Sequence, residues 1–209
     1  MISPMRISGR LASMLDLGRA MALAVLLVFA AVPADAAQDA RLDPLFEKLK
    51  AASDAREAQI YENAIWRVWL EPEDGAVNSL MRLGLDAQNR GDMFGAFAIY
   101  DAITGLKPDY AEGWNRRATA FFLSGEFKRS LADCDEVLKR NPFHFGALAG
   151  SGQNWFHLGQ YDKAITAWRR ALEVNPNLEG IEDSIEVATR LQERKQRNLV
   201  RAAAPPTGA

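Results

Sequence analysis

The stretch FGALAGSGQNWFHLGQYDKAITAWRRALEVNPNL, residues 145–178, decides the fold because its pattern occurs three times in the chain. Each copy is 34 residues long and ends close to a proline, at Pro108, Pro142 and Pro176. A glycine recurs near the middle of each copy, at Gly91, Gly125 and Gly159. A fixed period of this length indicates a repeat protein, in which each copy forms one supersecondary unit.

Other positions of the repeat keep the same character without keeping the same residue. We call the residues at one position of the 34-residue repeat a column. Small residues occupy two columns: Gly84, Ala118 and Gly152, then Ala96, Ser130 and Ala164. Apolar residues, most of them large, recur in four columns: Leu80, Trp114 and Leu148; Ala87, Phe121 and Trp155; Met93, Phe127 and Tyr161; Tyr100, Cys134 and Trp168. Small columns allow two helices to approach closely, and the larger columns fill the space around the crossing.

This pattern predicts a helical hairpin for each copy. The apolar positions follow helical spacing up to the central glycine, which can adopt the left-handed conformation that ends a helix. A second helix follows and ends before the proline, which cannot lie in a helix interior. One hairpin alone cannot bury its apolar face, whereas stacked hairpins can, so the copies should form a continuous stack.

The third copy closely resembles the tetratricopeptide repeat, a family with a 34-residue period. Nine of its residues lie where the family pattern has such residues: Leu148, Gly152, Trp155, Gly159, Tyr161, Ala164, Trp168, Ala171 and Pro176. The resemblance implies an all-α fold, an α–α superhelix whose concave groove is lined by the first helix of each hairpin. The three repeats are placed at residues 77–110, 111–144 and 145–178.

The flanks of the repeats are predicted to be helical as well. Residues 37–76 should form a degenerate N-terminal hairpin, in which Phe46 aligns with Leu80 in the 34-residue register. Residues 179–201 should form a C-terminal capping helix, with one apolar face toward the stack and a charged face toward water. Residues 202–209 are small and proline-rich, and a disordered tail is predicted there.

Residues 1–36 are predicted to be a secretory signal peptide. Arginines precede an apolar segment at residues 20–32, and a small-x-small sequence ends at Ala36. This order is typical of signal peptides, and the segment is shorter than the roughly 20 residues of a spanning helix. The mature chain would then begin near Ala37 and lie in the periplasm. Met14 is an alternative initiator, and an uncleaved anchor is the alternative interpretation.

Composition and motifs argue against nucleic-acid binding and against catalysis. The chain has 25 basic and 27 acidic residues, without the concentrated basic surface that nucleic acids require. His144 and His157 have no Cys or carboxylate at metal-ligand spacing, so neither a metal nor another cofactor is predicted. Ser130 and Ser151 occupy repeat columns that packing explains. Cys134 occupies a core column, where a buried and unreactive thiol is expected.

The groove is the predicted binding surface. Its predicted residues come from the first helices of the three hairpins: Met81, Arg82, Gln88, Asn115, Arg116, Thr119, Phe122, Gln153, Phe156 and His157, with Leu85 beside them. We expect Phe122 and Phe156 to lie side by side on the concave face, with Arg116 near them. Such a surface suits an extended peptide or a partner helix with apolar anchors. The alternative is that both rings only pack between neighbouring hairpins.

One class of the family grips a C-terminal carboxylate, and the resemblance to that class is incomplete. Its members carry Lys, Asn and Arg at set places along the groove. Asn115 and Arg116 match in part, but Ala149 and Gly150 occupy the places of the basic residues in the third copy. The resemblance therefore predicts a protein partner without assigning this class.

Two charged surfaces are predicted to be solvated. On the last helix four arginines recur on one side: Arg190, Arg194, Arg197 and Arg201. They should pair with Glu186 and Glu193, and the alternative is contact with anionic lipid or an acidic partner. On the second repeat a similar solvated face is expected for Asp133, Asp135 and Glu136.

These observations together predict a non-catalytic scaffold of the bacterial envelope that binds another envelope protein or a peptide. Two alternatives stay open. One is a chaperone-like subunit of an envelope assembly or maturation complex, for example in cytochrome or cell-wall biogenesis. The other is an enzyme with an unrecognised site.

Overall fold

Nine α-helices and no strand occur in residues 39–71 and 74–203, the part of the chain that a computed structural model describes. The helices are α1 Leu42–Ala51, α2 Ala55–Leu70, α3 Gly75–Asn89, α4 Met93–Leu106, α5 Ala111–Leu123, α6 Phe127–Arg140, α7 Phe145–His157, α8 Tyr161–Val174 and α9 Ile181–Ala203. The predicted signal peptide at residues 1–36 lies outside the described residues. Among these nine helices, none combines the length and the apolar character that a membrane span requires.

Three hairpins reproduce the predicted repeats: α3 with α4, α5 with α6, and α7 with α8. The helix pairs are joined at the predicted glycines, whose φ angles of 76°, 75° and 68° lie in the left-handed region, at Gly91, Gly125 and Gly159. Side chains also cap helix starts: Asp92 accepts a hydrogen bond of 2.9 Å from the Gly95 N–H at the start of α4. The all-α superhelical fold is confirmed.

The small column of Gly84 and Gly152 lies where the two helices of one hairpin cross. A Cβ added at Gly152 would overlap the indole of Trp168, and one added at Gly84 would lie 2.5 Å from Cε1 of Tyr100. In the middle hairpin, Cys134 occupies the position that Tyr100 and Trp168 take in the other two hairpins, and it is buried. The predicted core position of Cys134 is confirmed, and burial raises the pKa of its thiol to about 11, which disfavours the thiolate.

An ion-pair network joins the first two hairpins. Arg117 in α5 donates from Nε and Nη2 to both carboxylate oxygens of Asp133 in α6, at 2.8 and 2.9 Å. It also donates from Nη1 to Asp101 in α4, at 2.6 Å. Asp133 is only 5% exposed, so the prediction of a solvated face is wrong for this residue, although its neighbour Asp135 is exposed. The cause is an arginine on another helix, which the local sequence does not reveal.

The last helix, α9, caps the stack as predicted. Ile181 and Ala188 are buried against α8, while residues 192–200 are exposed. The helix continues to Ala203, two residues into the predicted tail, and residues 204–209 lie outside the described residues.

The arginine stripe of α9 is a solvated face within the described residues. Two of its members form i,i+4 ion pairs on the helix surface: Arg190 with Glu186 at 2.5 Å, and Arg197 with Glu193 at 3.6 Å. Arg194 is exposed, and the side chain of Arg201 lies outside the described residues. Exposed pairs of this kind contribute little to stability.

The N-terminal hairpin, α1 with α2, forms as predicted but packs in an unexpected place. Its apolar side shares a buried cluster with the third hairpin, which includes Phe46, Leu49, Ile65 and Phe145. The cluster around α3 and α4 contains no residue of α1 or α2. The alignment of Phe46 with Leu80 is therefore wrong as a guide to packing, because the hairpin does not continue the stack before α3.

Two long-range hydrogen bonds fasten this hairpin at the far end of the third repeat. Asn175 Nδ2 donates to Glu62 Oε2 at 3.0 Å, and Asn177 Nδ2 donates to the Leu49 carbonyl at 3.1 Å. Both asparagines follow α8, at the turn that contains the last repeat proline. The N-terminal hairpin thus spans from the start of the first repeat to the end of the third.

Candidate functional site

Two clefts are lined in part by the predicted groove residues. The first, which we call the α3–α5 cleft, has a volume of about 480 Å³ and is lined by Leu70, Asn78, Met81, Arg82, Leu85 and Arg116. The second, the α7–α9 cleft, has a volume of about 240 Å³ and is lined by Gln153, Phe156, His157, Trp168, Asp183, Ser184 and Val187. Six of the ten predicted groove residues line one of these clefts, three in each.

Two guanidinium groups, which differ in exposure and in ion pairing, border the α3–α5 cleft. Arg116 Nε lies 2.8 Å from Oε1 of the fully buried Glu112, so its charge is neutralised within the protein. Arg82 is exposed, and within the described residues its one polar contact is a 3.5 Å hydrogen bond to Ser79 Oγ. The cleft therefore offers apolar walls next to a cation that no described carboxylate neutralises.

The α7–α9 cleft combines an aromatic wall with a carboxylate. The ring of Phe156 lies 5.8 Å from that of Trp168 and 5.6 Å from that of Tyr161, measured between centroids. Asp183, in the first turn of α9, is exposed and forms no ion pair with any described residue. A cationic side chain entering this cleft would meet both a carboxylate and the face of an aromatic ring.

The predicted side-by-side pairing of Phe122 and Phe156 is not observed among the described residues. The imidazole of His157 contacts both rings, at 5.4 and 6.0 Å, and stacks on Phe127 at 4.6 Å. Neighbouring residues of a helix differ by about 100° in direction, so His157 faces α5 while Phe156 faces α8. Arg116 lines the other cleft rather than lying near these rings.

The remaining predicted groove residues line neither cleft. Gln88 Oε1 accepts a hydrogen bond of 3.3 Å from the Tyr100 hydroxyl, which holds α3 against α4. Asn115 Nδ2 donates to Glu112 Oε2 at 2.9 Å. Thr119 is exposed, and its hydroxyl donates to a carbonyl of its own helix. Gln88 thus joins the two helices of the first hairpin, and Asn115 and Thr119 form hydrogen bonds within α5, so none of the three borders either cleft.

Sequence reasoning missed the contribution of α9 to this surface. Asp183, Ser184 and Val187 lie one 34-residue period after Ala149, Gly150 and Gln153. Extending the register by one further copy would have found them, because α9 takes the place of the first helix of a fourth repeat. Leu70 was also missed, although the short link from Leu70 to Gly75 keeps the end of α2 close to the start of α3.

The second helix of the N-terminal hairpin covers one edge of the groove helices. Trp66 and Trp69 both contact the buried imidazole of His144, with ring centroids 5.4 and 4.2 Å away. His144 Nδ1 accepts from the Ala147 N–H at 3.1 Å, so Nε2 carries the proton and donates to Glu112 at 3.2 Å. His144 is thus a helix cap.

Within the described residues, no three potential ligand side chains form a metal site.

Comparisons with known proteins agree with this architecture. A family model described as tetratricopeptide repeat matches residues 146–178. A TPR repeat-containing protein of Rhizobium etli is 37% identical over 136 residues, which cover 65% of this chain and 67% of that relative.

Solved structures show the same fold. The first TPR domain of Spaghetti (RPAP3), bound to the HSP90 peptide SRMEEVD, superposes with a TM-score of 0.55 at 20% identity, over 56% of this chain and 93% of that one. The TPR2B domain of yeast Sti1, in a complex with pHsp70, gives a TM-score of 0.51 at 20% identity, over 55% and 96%. At these identities the likeness concerns the fold.

Proposed function

Since the chain belongs to the tetratricopeptide repeat family, we propose that it is a non-catalytic scaffold that binds a peptide segment of another protein in its groove. The α3–α5 cleft is the main recognition site in this proposal. A partner helix with the same apolar anchors could use the surface in the same way.

The observation that carries the proposal is the composition of this cleft. Met81, Leu85 and Leu70 leave apolar surface open to solvent, and Leu85 is 39% exposed. Arg82 stands beside them without a described carboxylate partner. Apolar anchors next to a cation that no described carboxylate neutralises suit a protein interface, where a few desolvated contacts supply most of the binding energy.

The comparisons support a protein partner without naming it. Two of the similar structures are described in complexes, one with an HSP90 peptide and one with pHsp70. The grooves of those two proteins are no guide to the charges of this one, because Ala149 and Gly150 place small side chains at two groove positions of α7.

We place this scaffold in the bacterial envelope. The basic start, the apolar segment at residues 20–32 and the small residues before Ala37 support export through a cleaved signal peptide. A chaperone-like role in the assembly of an envelope complex would use the same cleft. N-terminal sequencing of the protein purified from the envelope tests the location, and a chain that retains residues 20–32 would contradict it.

Peptide selection tests the binding function directly. The purified chain is used to select from a phage-displayed library of random peptides of about twelve residues, long enough to cross the groove. We expect one enriched peptide family, with binding weakened about tenfold or more by Leu85→Asp. Leu106→Asp is the matched control, because Leu106 is 67% exposed on α4 and lines neither cleft.

Two results would contradict the function. The first is the absence of any enriched peptide family. The second is a peptide that binds Leu85→Asp as tightly as the unmodified chain, which would place its site elsewhere.

A further inference from the structure

The columns that face the two clefts change their charge along the stack. One column contains Met81, Asn115, Ala149 and Asp183, and the next contains Arg82, Arg116, Gly150 and Ser184. Cationic side chains therefore belong to α3 and α5, small ones to α7, and a carboxylate to α9. Because all eight positions share two columns of one repeat, they lie on the same side of the stack.

The basic end of this surface has two arginines, of which one forms an ion pair among the described residues. Arg116 is held by the buried Glu112 at 2.8 Å, whereas Arg82 is exposed and unpaired within the described residues. A guanidinium can bind a carboxylate through two parallel hydrogen bonds, which gives directional recognition. The α3–α5 cleft is therefore suited to an acidic group of a partner.

The acidic end has the opposite preference. Asp183 lines the α7–α9 cleft together with the ring of Phe156, and no described residue forms an ion pair with it. A lysine or arginine of a partner would gain an ion pair with the carboxylate and a contact with the ring face. An acidic group at this end would be repelled.

The distance between the two ends sets the length of the matching segment. The clefts are two groove-helix spacings apart, and packed helices lie about 8–10 Å from each other, so their centres are separated by about 20 Å. An extended chain covers that distance with about six residues. Between the ends, Ala149 and Gly150 leave room for side chains of the segment, since a Cβ at Gly150 would meet only Cys134 Sγ, at 3.8 Å.

We propose that the partner is an extended peptide segment of mixed polarity, with an acidic residue at Arg82 and a basic residue about six positions away at Asp183. This inference rests on the proposed groove function. It adds a direction, because the segment must run along the groove with its acidic end toward α3.

Charge exchange tests the inference. The same phage-displayed library is selected in parallel on the unmodified chain, on the double variant Arg82→Glu/Asp183→Lys, and on Arg169→Glu, a control at an exposed arginine of α8. We expect the unmodified chain and the control to enrich peptides with an acidic and a basic residue about six positions apart. The double variant should enrich peptides in which these two charges are exchanged relative to the apolar anchor.

Affinities then separate this inference from the function on which it rests. Against the selected synthetic peptide, Arg82→Glu should raise Kd about fivefold or more at low salt, with a smaller effect at high salt. Peptides that depend on Leu85 but carry no paired charges would overturn the mixed polarity and leave the groove function intact. Failure to select any peptide would overturn both.

Discussion

The indole of Trp69 lies flat against the imidazole of His144, with ring centroids 4.2 Å apart and planes inclined by 14°. Trp66 meets the same imidazole edge-on, at 5.4 Å. His144 in turn caps α7 and donates to Glu112 of α5. One buried ring therefore joins α2 to two helices of the groove, and the N-terminal hairpin becomes part of the repeat core.

Truncation of Trp69 should measure this attachment. We expect Trp69→Ala to lower the free energy of unfolding by about 3 kcal/mol, since the ring is lost from a packed cluster. Hydrogen exchange of α1 and α2 should accelerate more than that of α5 and α6. The control is Ile60→Ala on the same helix. The Ile60 side chain is 61% exposed, so its truncation should change the free energy of unfolding by less than about 0.5 kcal/mol. Equal effects would show that the hairpin is not docked.

Two glycines of α7 provide a second test with the same substitution. A Cβ at Gly146 would lie 2.8 Å from the ring of Trp66, whereas one at Gly150 would make only an ordinary contact. We expect Gly150→Ala to stabilise by up to about 1 kcal/mol through helix propensity. Gly146→Ala should instead destabilise by about 1 kcal/mol, because Trp66 must move. Thermal melting followed by circular dichroism measures both, and a stabilising Gly146→Ala would contradict the docking.

The two aspartates of α6 test the network between hairpins. Asp133→Ala leaves the half-buried Arg117 without its bidentate partner, so we expect a loss of about 2–4 kcal/mol in urea denaturation. Asp101 still accepts from Arg117, which keeps the loss below that of a fully isolated charge. Asp135→Ala should change stability by less than about 0.5 kcal/mol, since Asp135 is exposed. Similar losses for both variants would mean that the network is not formed.

Alkaline pH should weaken the fold through Cys134. Burial raises the pKa of its thiol from 9.0 to about 11, so the folded state disfavours the thiolate that the unfolded chain forms readily. The resulting stability is complete below pH 9 and is lost as the pH rises toward 11. We expect a loss of about 1 kcal/mol at about pH 10.

The control for this pH dependence is Cys134→Ala, which lacks the thiol. Its stability should fall less between about pH 8 and about pH 10, even though its absolute stability is lower. Burial also raises the pKa of Tyr100 and of Tyr110, so both proteins should weaken at still higher pH. Parallel pH profiles up to pH 10 would refute the assignment to Cys134.

The repeats could be predicted from the sequence because their contacts are themselves periodic. Gly152 contacts Trp168 just as Gly84 contacts Tyr100, so the residues that form a helix crossing recur at the same positions of the repeat. The same logic, extended by one period, would have placed Asp183 at the groove. Packing that recurs with the period leaves a pattern that a single sequence can show.

Contacts that occur once leave no such pattern. The hydrogen bond between Glu62 and Asn175 joins residues 113 positions apart and has no counterpart in another copy. The position of His157 between Phe122 and Phe156 likewise depends on which way one helix is turned by its neighbours. The docking of the N-terminal hairpin and the division of the groove into two clefts therefore required the structure.

This docking also fixes how many repeats the protein can have. The link between α2 and α3 is short, from Leu70 to Gly75, yet Asn177 must still reach Leu49 beyond the last repeat. A duplicated 34-residue unit would separate these points by about another helix spacing of 8–10 Å, and one of the attachments would break. Most repeat arrays can lengthen by duplication. In this protein the docked N-terminal hairpin limits the number of repeats, and we expect related proteins that keep this hairpin to vary in surface residues rather than in repeat number.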